Sequence, residues 1–193
     1  MNTAELKYRL RREALSRRAG LSPEFRRASS QTVCEKIAST RAYKEADTIM
    51  LYSAVRAELD TGLLASIALR DGKTVLYPYC LPDGNMLALK PEGPESWKAG
   101  SFGIPEPDPE CCCAADPADI DLVICPCTAF DEACGRIGMG GGYYDRFLPG
   151  CSGAVKIAAA FEAQKTERVP RESFDIEMDA VVTETAVYCK GDL

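Results

Sequence analysis

The segment that decides the fold starts at Ile120-Asp121-Leu122-Val123-Ile124-Cys125 and continues into Gly135-Arg136-Ile137-Gly138-Met139-Gly140-Gly141-Gly142-Tyr143-Tyr144-Asp145. The first run is the most apolar strand candidate of the chain, and a helix is predicted from about Tyr143 to Leu148. Between them lies a loop in which five of the eight residues 135–142 are glycine. This order is typical of an α/β sheet that binds a ligand beyond the carboxyl ends of its strands.

Strand and helix patterns alternate through the rest of the chain. Helices are predicted over residues 3–19 with Thr3 as N-cap, from the start signal Ser22-Pro23-Glu24, and over Thr61 to Arg70. Further strands are predicted at Thr48–Tyr52, Thr74–Tyr79, Met86–Lys90, Val155–Phe161 and Ala180–Thr183. Residues 91–119 are rich in proline, glycine and acids, and we expect an ordered loop there with at most a short helix. The strands are continuously apolar, which favours a mainly parallel sheet covered on both faces.

The composition excludes several kinds of catalysis. The chain has 193 residues, of which 46% are hydrophobic and 27% charged, an ordinary globular balance. It contains no histidine, which excludes Ser-His-Asp and Cys-His catalysis and His-ligated zinc. Any chemistry must therefore use acids, cations, tyrosine, cysteine, backbone groups or a bound ion.

The ten cysteines are best interpreted as reduced thiols. The N-terminus has no signal-peptide pattern and no apolar run is long enough to span a membrane, so we expect a cytoplasmic protein with no membrane partner. No C-x-x-C spacing occurs, which argues against a zinc ribbon. A metal cluster at Cys111, Cys112 and Cys113 with Cys125 and Cys127 remains an alternative.

The net charge of −6 hides an asymmetry. Residues 1–27 carry eight Lys or Arg and three acids, whereas the remainder has a net charge of −11. This distribution argues against a nucleic-acid partner and fits a small anionic ligand bound at one place. Lys7 and Arg11 are four residues apart and project from one helix face, although a solvated basic face is the competing interpretation.

The glycine-rich loop is a candidate phosphate cradle, because glycines let backbone N–H groups approach an anion closely. It is not a Walker A loop, and a flexible structural loop is the alternative. Arg136 offers a planar cation for phosphate oxygens, and Asp145 offers a carboxylate for a phosphate-bound Mg²⁺. Without a metal, Asp145 would be an ordinary first-turn residue of the short helix.

Several motifs together resemble one enzyme family. The stretch from Pro126 to Phe147 resembles the signature of the 5-formyltetrahydrofolate cyclo-ligase (methenyltetrahydrofolate synthetase) family. The pair Lys7 and Arg11, the segment Glu58-Leu59-Asp60-Thr61 and the loop Phe102-Gly103-Ile104-Pro105-Glu106-Pro107 are similar to further family motifs in the same order. Residues 161–164, 169–170 and 175–179 are similar to its C-terminal part.

The resemblance implies a fold and a reaction. The fold would be a three-layer α/β sandwich with helices on both faces, formed by one domain over residues 1–193, with residues 1–40 as a helical arm packed on it. The reaction would use ATP and Mg²⁺ to convert 5-formyltetrahydrofolate to 5,10-methenyltetrahydrofolate, with release of ADP and phosphate. The partners would be reduced folate and ATP, and the protein would be a monomer.

The resemblance also implies roles for individual residues. ATP would be held by cations and by the glycine-rich loop: Lys7, Arg11, Arg136, Gly138, Met139, Gly140, Gly141, Gly142, Tyr143 and Tyr144. The folate substrate would contact Ser53, Glu58, Phe102 and Tyr144. The magnesium ligands would be Asp145 and Asp179. Cys134 stands where the family usually has glycine, and Gly135 is expected to take over that turn.

Three other functions remain open on the sequence. The first is a protein that binds reduced folate without turnover. The second is a sugar-phosphate isomerase-like enzyme, which would bind phosphate but need no ATP. The third is a thiol-rich metal or redox protein.

Overall fold

A computed structural model describes residues 2–100, 105–191 and 193. Its helices are α1 (Thr3–Ala19), α2 (Pro23–Ser39), α3 (Arg41–Glu45), α4 (Gly62–Arg70) and α5 (Tyr143–Phe147). The strands are β1 (Thr48–Met50), β2 (Thr74–Cys80), β3 (Met86–Lys90), β4 (Trp97–Ala99), β5 (Pro105–Pro107), β6 (Cys113–Ala115), β7 (Leu122–Pro126), β8 (Ala129–Phe130), β9 (Arg136–Ile137), β10 (Val155–Ala159), β11 (Ala180–Val182) and β12 (Val187–Cys189). Among these ranges, no helix is both long and apolar enough to cross a bilayer.

The main sheet is mixed and mostly parallel. Over the described residues it contains eight strands in the order β12-β11-β10-β7-β1-β2-β3-β6. The strands from β11 to β2 run parallel, while β12, β3 and β6 pair antiparallel at the two edges. The predicted α/β architecture with a mainly parallel sheet is confirmed, and the carboxyl ends of the parallel strands meet along one edge.

Side chains alternate between the two faces of the sheet because successive residues of a strand point in opposite directions. Ile49, Leu122 and Ile157 belong to a core shared with α2 and α4. Met50, Val123 and Ala158 belong to the opposite core, which is covered by α5 and by residues of the β8–β9 ribbon. Apolar residues on both faces account for the continuous apolar strands of the sequence.

The first two helices begin with side-chain caps. Ser22 accepts a hydrogen bond from the Phe25 N–H and Pro23 occupies the first turn, as predicted. For α1 the predicted cap, Thr3, was wrong by one residue. Asn2 caps the helix, and together with Glu5 it forms a capping box in which each side chain accepts a backbone N–H of the other residue.

The prediction for residues 91–119 was incomplete. Three short strands, β4, β5 and β6, lie in this region, with single 3₁₀ turns at Pro94–Ser96 and Pro117–Asp119. β4 pairs with β5 in a separate ribbon, and β6 extends the main sheet beyond β3. Strands of three residues carry too little periodicity to be distinguished from loop, and β5 also begins and ends with proline.

Cys134 adopts a left-handed backbone conformation, with φ of 61°. The expectation that Gly135 takes over this turn was therefore wrong, because Gly135 has no positive φ. Cys134 is fully buried, and its thiol lies 3.4 Å from the carbonyl oxygen of Tyr188. The turn is held by Asp131, whose Oδ1 accepts the Gly135 N–H at 2.8 Å.

Candidate active site

A cleft of about 340 Å³ opens at the carboxyl edge of the parallel strands. This is where an open α/β sheet usually binds its ligand. The cleft is lined by residues of α1, of the sheet edge, of the glycine-rich loop and of a C-terminal segment: Lys7, Arg11, Glu58, Pro78, Cys80, Met86, Pro126, Cys127, Thr128, Arg136, Ile137, Gly138, Met139, Gly140, Gly141, Gly142, Tyr143, Tyr144, Asp145, Glu172, Phe174 and Asp175. The structure thus brings all ten predicted ATP contacts into one cleft with Glu58 and Asp145.

The glycine-rich loop follows the cleft wall from β9 to the start of α5. Gly140 and Gly142 have positive φ values of 104° and 69°, a conformation that residues with a Cβ adopt at a cost. A Cβ on Gly142 would lie 2.7 Å from Nη1 of Arg146. Arg11 fixes the loop from the other side, since its Nε donates to the Gly138 carbonyl oxygen at 2.8 Å.

Arg136 forms the floor of the cleft. Its side chain is 3% exposed, and the guanidinium lies 5.5 Å from the centroid of the Tyr144 ring. Nη1 donates to the Pro126 carbonyl oxygen at 3.2 Å, and Nη2 lies 3.4 Å from Asp145 Oδ1. Nε is buried and has no hydrogen-bond partner among the residues that the structure describes. A buried, unpaired N–H favours binding of an acceptor such as a phosphate oxygen.

Asp145 presents a carboxylate to the cleft from the first turn of α5. Its Oδ1 accepts hydrogen bonds from Arg136 and, at 3.2 Å, from the Ile176 N–H. The side chain remains 25% exposed. The carboxylate is therefore held in place while it stays accessible to a hard cation.

Lys7 is paired with two carboxylates of the C-terminal segment. Its ammonium nitrogen lies 2.5 Å from Asp175 Oδ2 and 2.9 Å from Glu172 Oε2. Burial alone would lower the pKa of Lys7, but the hydrogen bonds to Asp175 and Glu172 outweigh it and raise the pKa above its ordinary value. Lys7 therefore stays charged at neutral pH. An incoming phosphate must compete with the two acids for it.

Glu58 lies in the loop between β1 and α4, with a side chain that is 9% exposed. Burial raises the pKa of this carboxyl, against the opposing effects of a hydrogen bond from the Val55 N–H and the charges of Arg18 and Arg56. The Val55 N–H lies 3.1 Å from Oε2. A shielded carboxylate of this kind suits recognition of paired N–H donors on a ligand.

Tyr144 closes the cleft between Arg136 and Glu58. Burial raises the pKa of its hydroxyl well above the ordinary value, so the group is a neutral donor and acceptor. The hydroxyl is buried and has no hydrogen-bond partner among the described residues. Such a group is stabilised when a ligand supplies the missing partner.

Asp179, predicted as the second magnesium ligand, lies at the opposite end of the sheet. Its Oδ2 accepts the Lys156 N–H at 2.7 Å, at the start of β10. Three residues further along β10, about 10 Å at the usual strand rise, Ala159 pairs with Pro126 at the cleft. Among the described residues Asp179 does not line the cleft that contains Asp145, so the structure does not bring the two predicted magnesium ligands together.

Asp121 shows that carboxylates at the amino ends of the parallel strands, which we call the amino edge of the sheet, have a structural role. Its Oδ2 accepts the N–H groups of Asp47 and Thr48 at the start of β1, as Asp179 does for β10. The cleft instead has Asp175 near Asp145, four positions before Asp179 in the chain. The sequence alone, in which both aspartates belong to the segment 175–179, does not show which of them lies in the cleft.

Two further folate contacts were predicted, Ser53 and Phe102. Ser53 is half-buried in the loop after β1 and is not among the described residues that line the cleft. Phe102 lies outside the described residues. The lining residues that sequence reasoning missed include Glu172, which carries no motif of its own, and Thr128, which lies inside the signature but was given no role.

The cysteines are all free thiols. Cys127 lines the cleft, but burial raises its pKa to about 12, so it is a neutral thiol and not a nucleophile. Across residues 2–100, 105–191 and 193, no group of three or more His, Cys, Asp or Glu side chains is placed to hold a metal ion. The geometry gives no support to the thiol-rich metal site at Cys111–Cys113.

The sequence and the fold match known proteins. The model of the 5-formyltetrahydrofolate cyclo-ligase family matches residues 3–184. The chain is 31% identical over 176 residues to 5-formyltetrahydrofolate cyclo-ligase of Escherichia coli (strain K12), with 89% of this chain and 97% of that protein covered. The mouse protein of the same name is 27% identical over 197 residues, covering 94% of this chain and 91% of its own length.

Solved structures agree with this match. The NMR structure of Aquifex aeolicus 5,10-methenyltetrahydrofolate synthetase superposes with a TM-score of 0.85 and 32% identity, covering 97% of this chain and 94% of that one. A Mycoplasma pneumoniae 5,10-methenyltetrahydrofolate synthetase, 22% identical with a TM-score of 0.76, shares the fold and covers 92% of this chain and 98% of its own. With the family match extending over residues 3–184, the chain belongs to the 5-formyltetrahydrofolate cyclo-ligase family.

Proposed function

We propose that this protein converts 5-formyltetrahydrofolate and ATP to 5,10-methenyltetrahydrofolate, ADP and phosphate. The formyl oxygen attacks the γ-phosphorus of ATP and ADP leaves. N10 of the folate then attacks the activated formyl carbon and loses its proton, and phosphate departs with the former formyl oxygen. Phosphoryl transfer of this kind needs positioning and charge neutralisation rather than a covalent catalyst, which is compatible with a chain that has no histidine.

One observation carries the proposal. A single cleft holds three cations, a glycine-rich loop with two positive-φ glycines, and the Glu58 carboxyl, whose side chain is 9% exposed. The cations and the loop suit a polyphosphate, whereas Glu58 suits the N–H groups of a pterin ring. The side with the cations and the loop and the side with Glu58 belong to one cleft, so two ligands can meet there.

The nucleotide is assigned to the loop side of the cleft. Lys7, Arg11 and Arg136 neutralise its phosphates, and residues 138–144 supply backbone N–H groups. Arg136 Nε, which is buried without a hydrogen-bond partner in the described part of the chain, takes a phosphate oxygen. Tyr144 faces both halves of the cleft, and its hydroxyl is assigned to the folate.

Magnesium fits the donor set of the cleft. Asp145 offers a fixed but accessible carboxylate, and Asp175 lies on the same cleft wall. Mg²⁺ usually takes one or two carboxylates together with substrate phosphates. When bound, it neutralises charge that develops on the transferring phosphoryl group. Asp145 and Asp175 are therefore assigned as its protein ligands, in place of the predicted pair with Asp179.

The remaining proposals rest on membership of the family. Phe102 and Ser53 remain predicted folate contacts. We further propose that residues 1–193 form one domain with residues 1–40 as a packed arm, and that the protein acts as a monomer in the cytoplasm.

The test mixes protein, MgATP and 5-formyltetrahydrofolate and follows methenyl absorbance together with ADP release. Equal amounts of both products are expected. Tight folate binding with no ADP would instead support a binding protein without turnover. Turnover of a sugar phosphate without ATP would support an isomerase-like enzyme.

A further inference from the structure

Arg18 has an unusual position for an arginine near the end of a helix. The residue is 5% exposed, although it lies in the last turn of α1. Arginine is almost never fully buried unless it is paired. Its Nη1 lies 3.3 Å from the Cys127 carbonyl oxygen and 3.9 Å from Glu58 Oε1.

Glu58 is held from two sides by these contacts. The Val55 N–H approaches Oε2 and the guanidinium of Arg18 approaches Oε1. Both side chains of the ion pair are less than one-tenth exposed, so the pair is weakly screened by solvent and salt. Removal of one partner would leave the other as a buried, unpaired charge.

The helix places Arg18 on the same face as the two nucleotide cations. With 3.6 residues per turn, Arg11 and Arg18 lie within about 40° of Lys7 around the axis, and Arg18 lies about 16 Å further along it. Arg17 anchors this end of α1, since its side chain donates to the carbonyl oxygens of Ala163 and Lys165. α1 therefore reaches both halves of the cleft.

We propose that Arg18 is a positioning residue that orients the Glu58 carboxylate toward the folate and links it to the helix carrying the nucleotide cations. The inference deepens the proposed function and depends on its assignment of Glu58 to the folate. Arg18 itself touches neither substrate. Its effect passes through the orientation and ionisation of Glu58.

The ionisation of Glu58 gives a measurable consequence. The titratable and charged groups that face it are Arg18 from α1, Arg56 from its own loop, Tyr52 after β1, Cys127 after β7 and Tyr144 from α5. The tyrosines and the cysteine stay neutral, because burial raises their pKa values. Loss of Arg18 removes one of two opposing positive charges and raises the pKa of Glu58 further.

The experiment compares Arg18→Met, Arg18→Lys and the control Arg12→Met, an exposed arginine on the same helix. Equilibrium binding of 5-formyltetrahydrofolate and, separately, of ATP is measured between pH 5 and 9. Arg18→Met is expected to weaken folate binding by about ten-fold at the acidic end, equivalent to about one pKa unit, with ATP binding unchanged. Arg18→Lys restores part of the affinity, and Arg12→Met matches wild type.

The inference is overturned if Arg18→Met leaves the folate pH profile unchanged, or if it weakens ATP and folate equally. A Glu58→Gln background provides a cross-check, in which Arg18→Met should have little further effect on folate. If Arg18→Met does not fold, Arg18→Lys carries the comparison.

Failure of the proposed function has a different signature. If the assignment of Glu58 to the folate is wrong because the cleft takes no folate, wild-type protein does not bind 5-formyltetrahydrofolate at all. The link between Arg18 and Glu58 is then read from the carboxyl titration of Glu58 by ¹³C NMR. A higher pKa in Arg18→Met supports the positioning role, and an unchanged titration overturns it.

Discussion

The ammonium group of Lys7 lies 2.5 Å from a carboxylate oxygen of Asp175, 168 residues later in the chain. Glu172 makes a second, more exposed contact to the same ammonium group. A cation assigned to ATP is thus occupied by acids before the nucleotide arrives. The contact also positions Lys7, since a flexible lysine in open solvent would lose side-chain entropy on binding.

Removing the weaker of the two acids should strengthen ATP binding. Glu172→Gln removes a competitor of the phosphates, and exposed ion pairs contribute about 0.2–1 kcal/mol, so we expect up to about a five-fold lower Kd for ATP. Calorimetric titration measures this Kd. Glu167→Gln, an exposed acid that does not line the cleft, is the control and should bind ATP as wild type does. A weaker affinity in Glu172→Gln would contradict the competition.

Removing a cation of the cleft should weaken the interaction with ATP. Lys7→Ala and Arg136→Ala each delete a charged contact worth roughly 1.5–3 kcal/mol, which should appear as a higher KM for ATP or a lower kcat. Steady-state kinetics with varied ATP provides the measurement. Wild-type kinetics in both variants would show that α1 and the glycine-rich loop do not meet the nucleotide.

The two aspartates at opposite ends of the sheet should differ in their response to magnesium. Asp145→Asn is expected to reduce activity and to raise the Mg²⁺ concentration required for half-maximal rate, because a neutral amide is a weaker ligand for a hard cation. Asp179→Asn is the matched control, since that side chain accepts the Lys156 N–H at the amino edge. Equal magnesium titrations for the two variants would reject the ligand role of Asp145.

Because Cys134 has a left-handed backbone conformation, glycine should be a more stable replacement there than alanine, which is the reverse of the usual order. Most residues with a Cβ lose about 1–2 kcal/mol in this conformation, so Cys134→Gly should be more stable than Cys134→Ala by about 1 kcal/mol. Cys151 is equally buried but has φ of −90°, and there alanine should be the more stable replacement. Urea unfolding of the four variants tests this, and the same order at both sites would be inconsistent with strain at Cys134.

Glu58 should make stability depend on pH in a defined direction. Because its pKa is raised by burial, the folded protein binds this proton more tightly than the unfolded chain does. The contribution of Glu58 to stability is therefore complete below its ordinary pKa of 4.5 and falls as the pH rises through the raised value. The free energy of unfolding of wild type relative to Glu58→Gln should decline over that interval. Parallel pH profiles in urea unfolding would contradict it.

The sequence predicted the elements whose local pattern is strong. β3 was predicted with its observed bounds, and the start of α2 was predicted from Ser22 and Pro23. The glycine-rich loop and the cations were recognisable from composition and from the family motifs, and the structure gathers them in one cleft. These features depend on neighbours in the chain, which a sequence displays directly.

Other features depend on partners distant in the chain and could not be predicted. The burial of Arg18 is decided by Glu58 and Cys127, and nothing near position 18 distinguishes it from the exposed Arg12. Asp175 and Asp179 are four positions apart, yet Asp175 lines the cleft whereas Asp179 lies just before β11, beside the start of β10. Only the three-dimensional course of the chain separates a cleft residue from a strand-start residue.

The contact between Lys7 and Asp175 also constrains the order of events during synthesis. The first helix leaves the ribosome long before residues 172–175, and until then its basic face has no carboxylates from that segment to pair with. A nascent chain therefore carries an incomplete cleft. The lining of the cleft is complete only when residues 172–175 have been made.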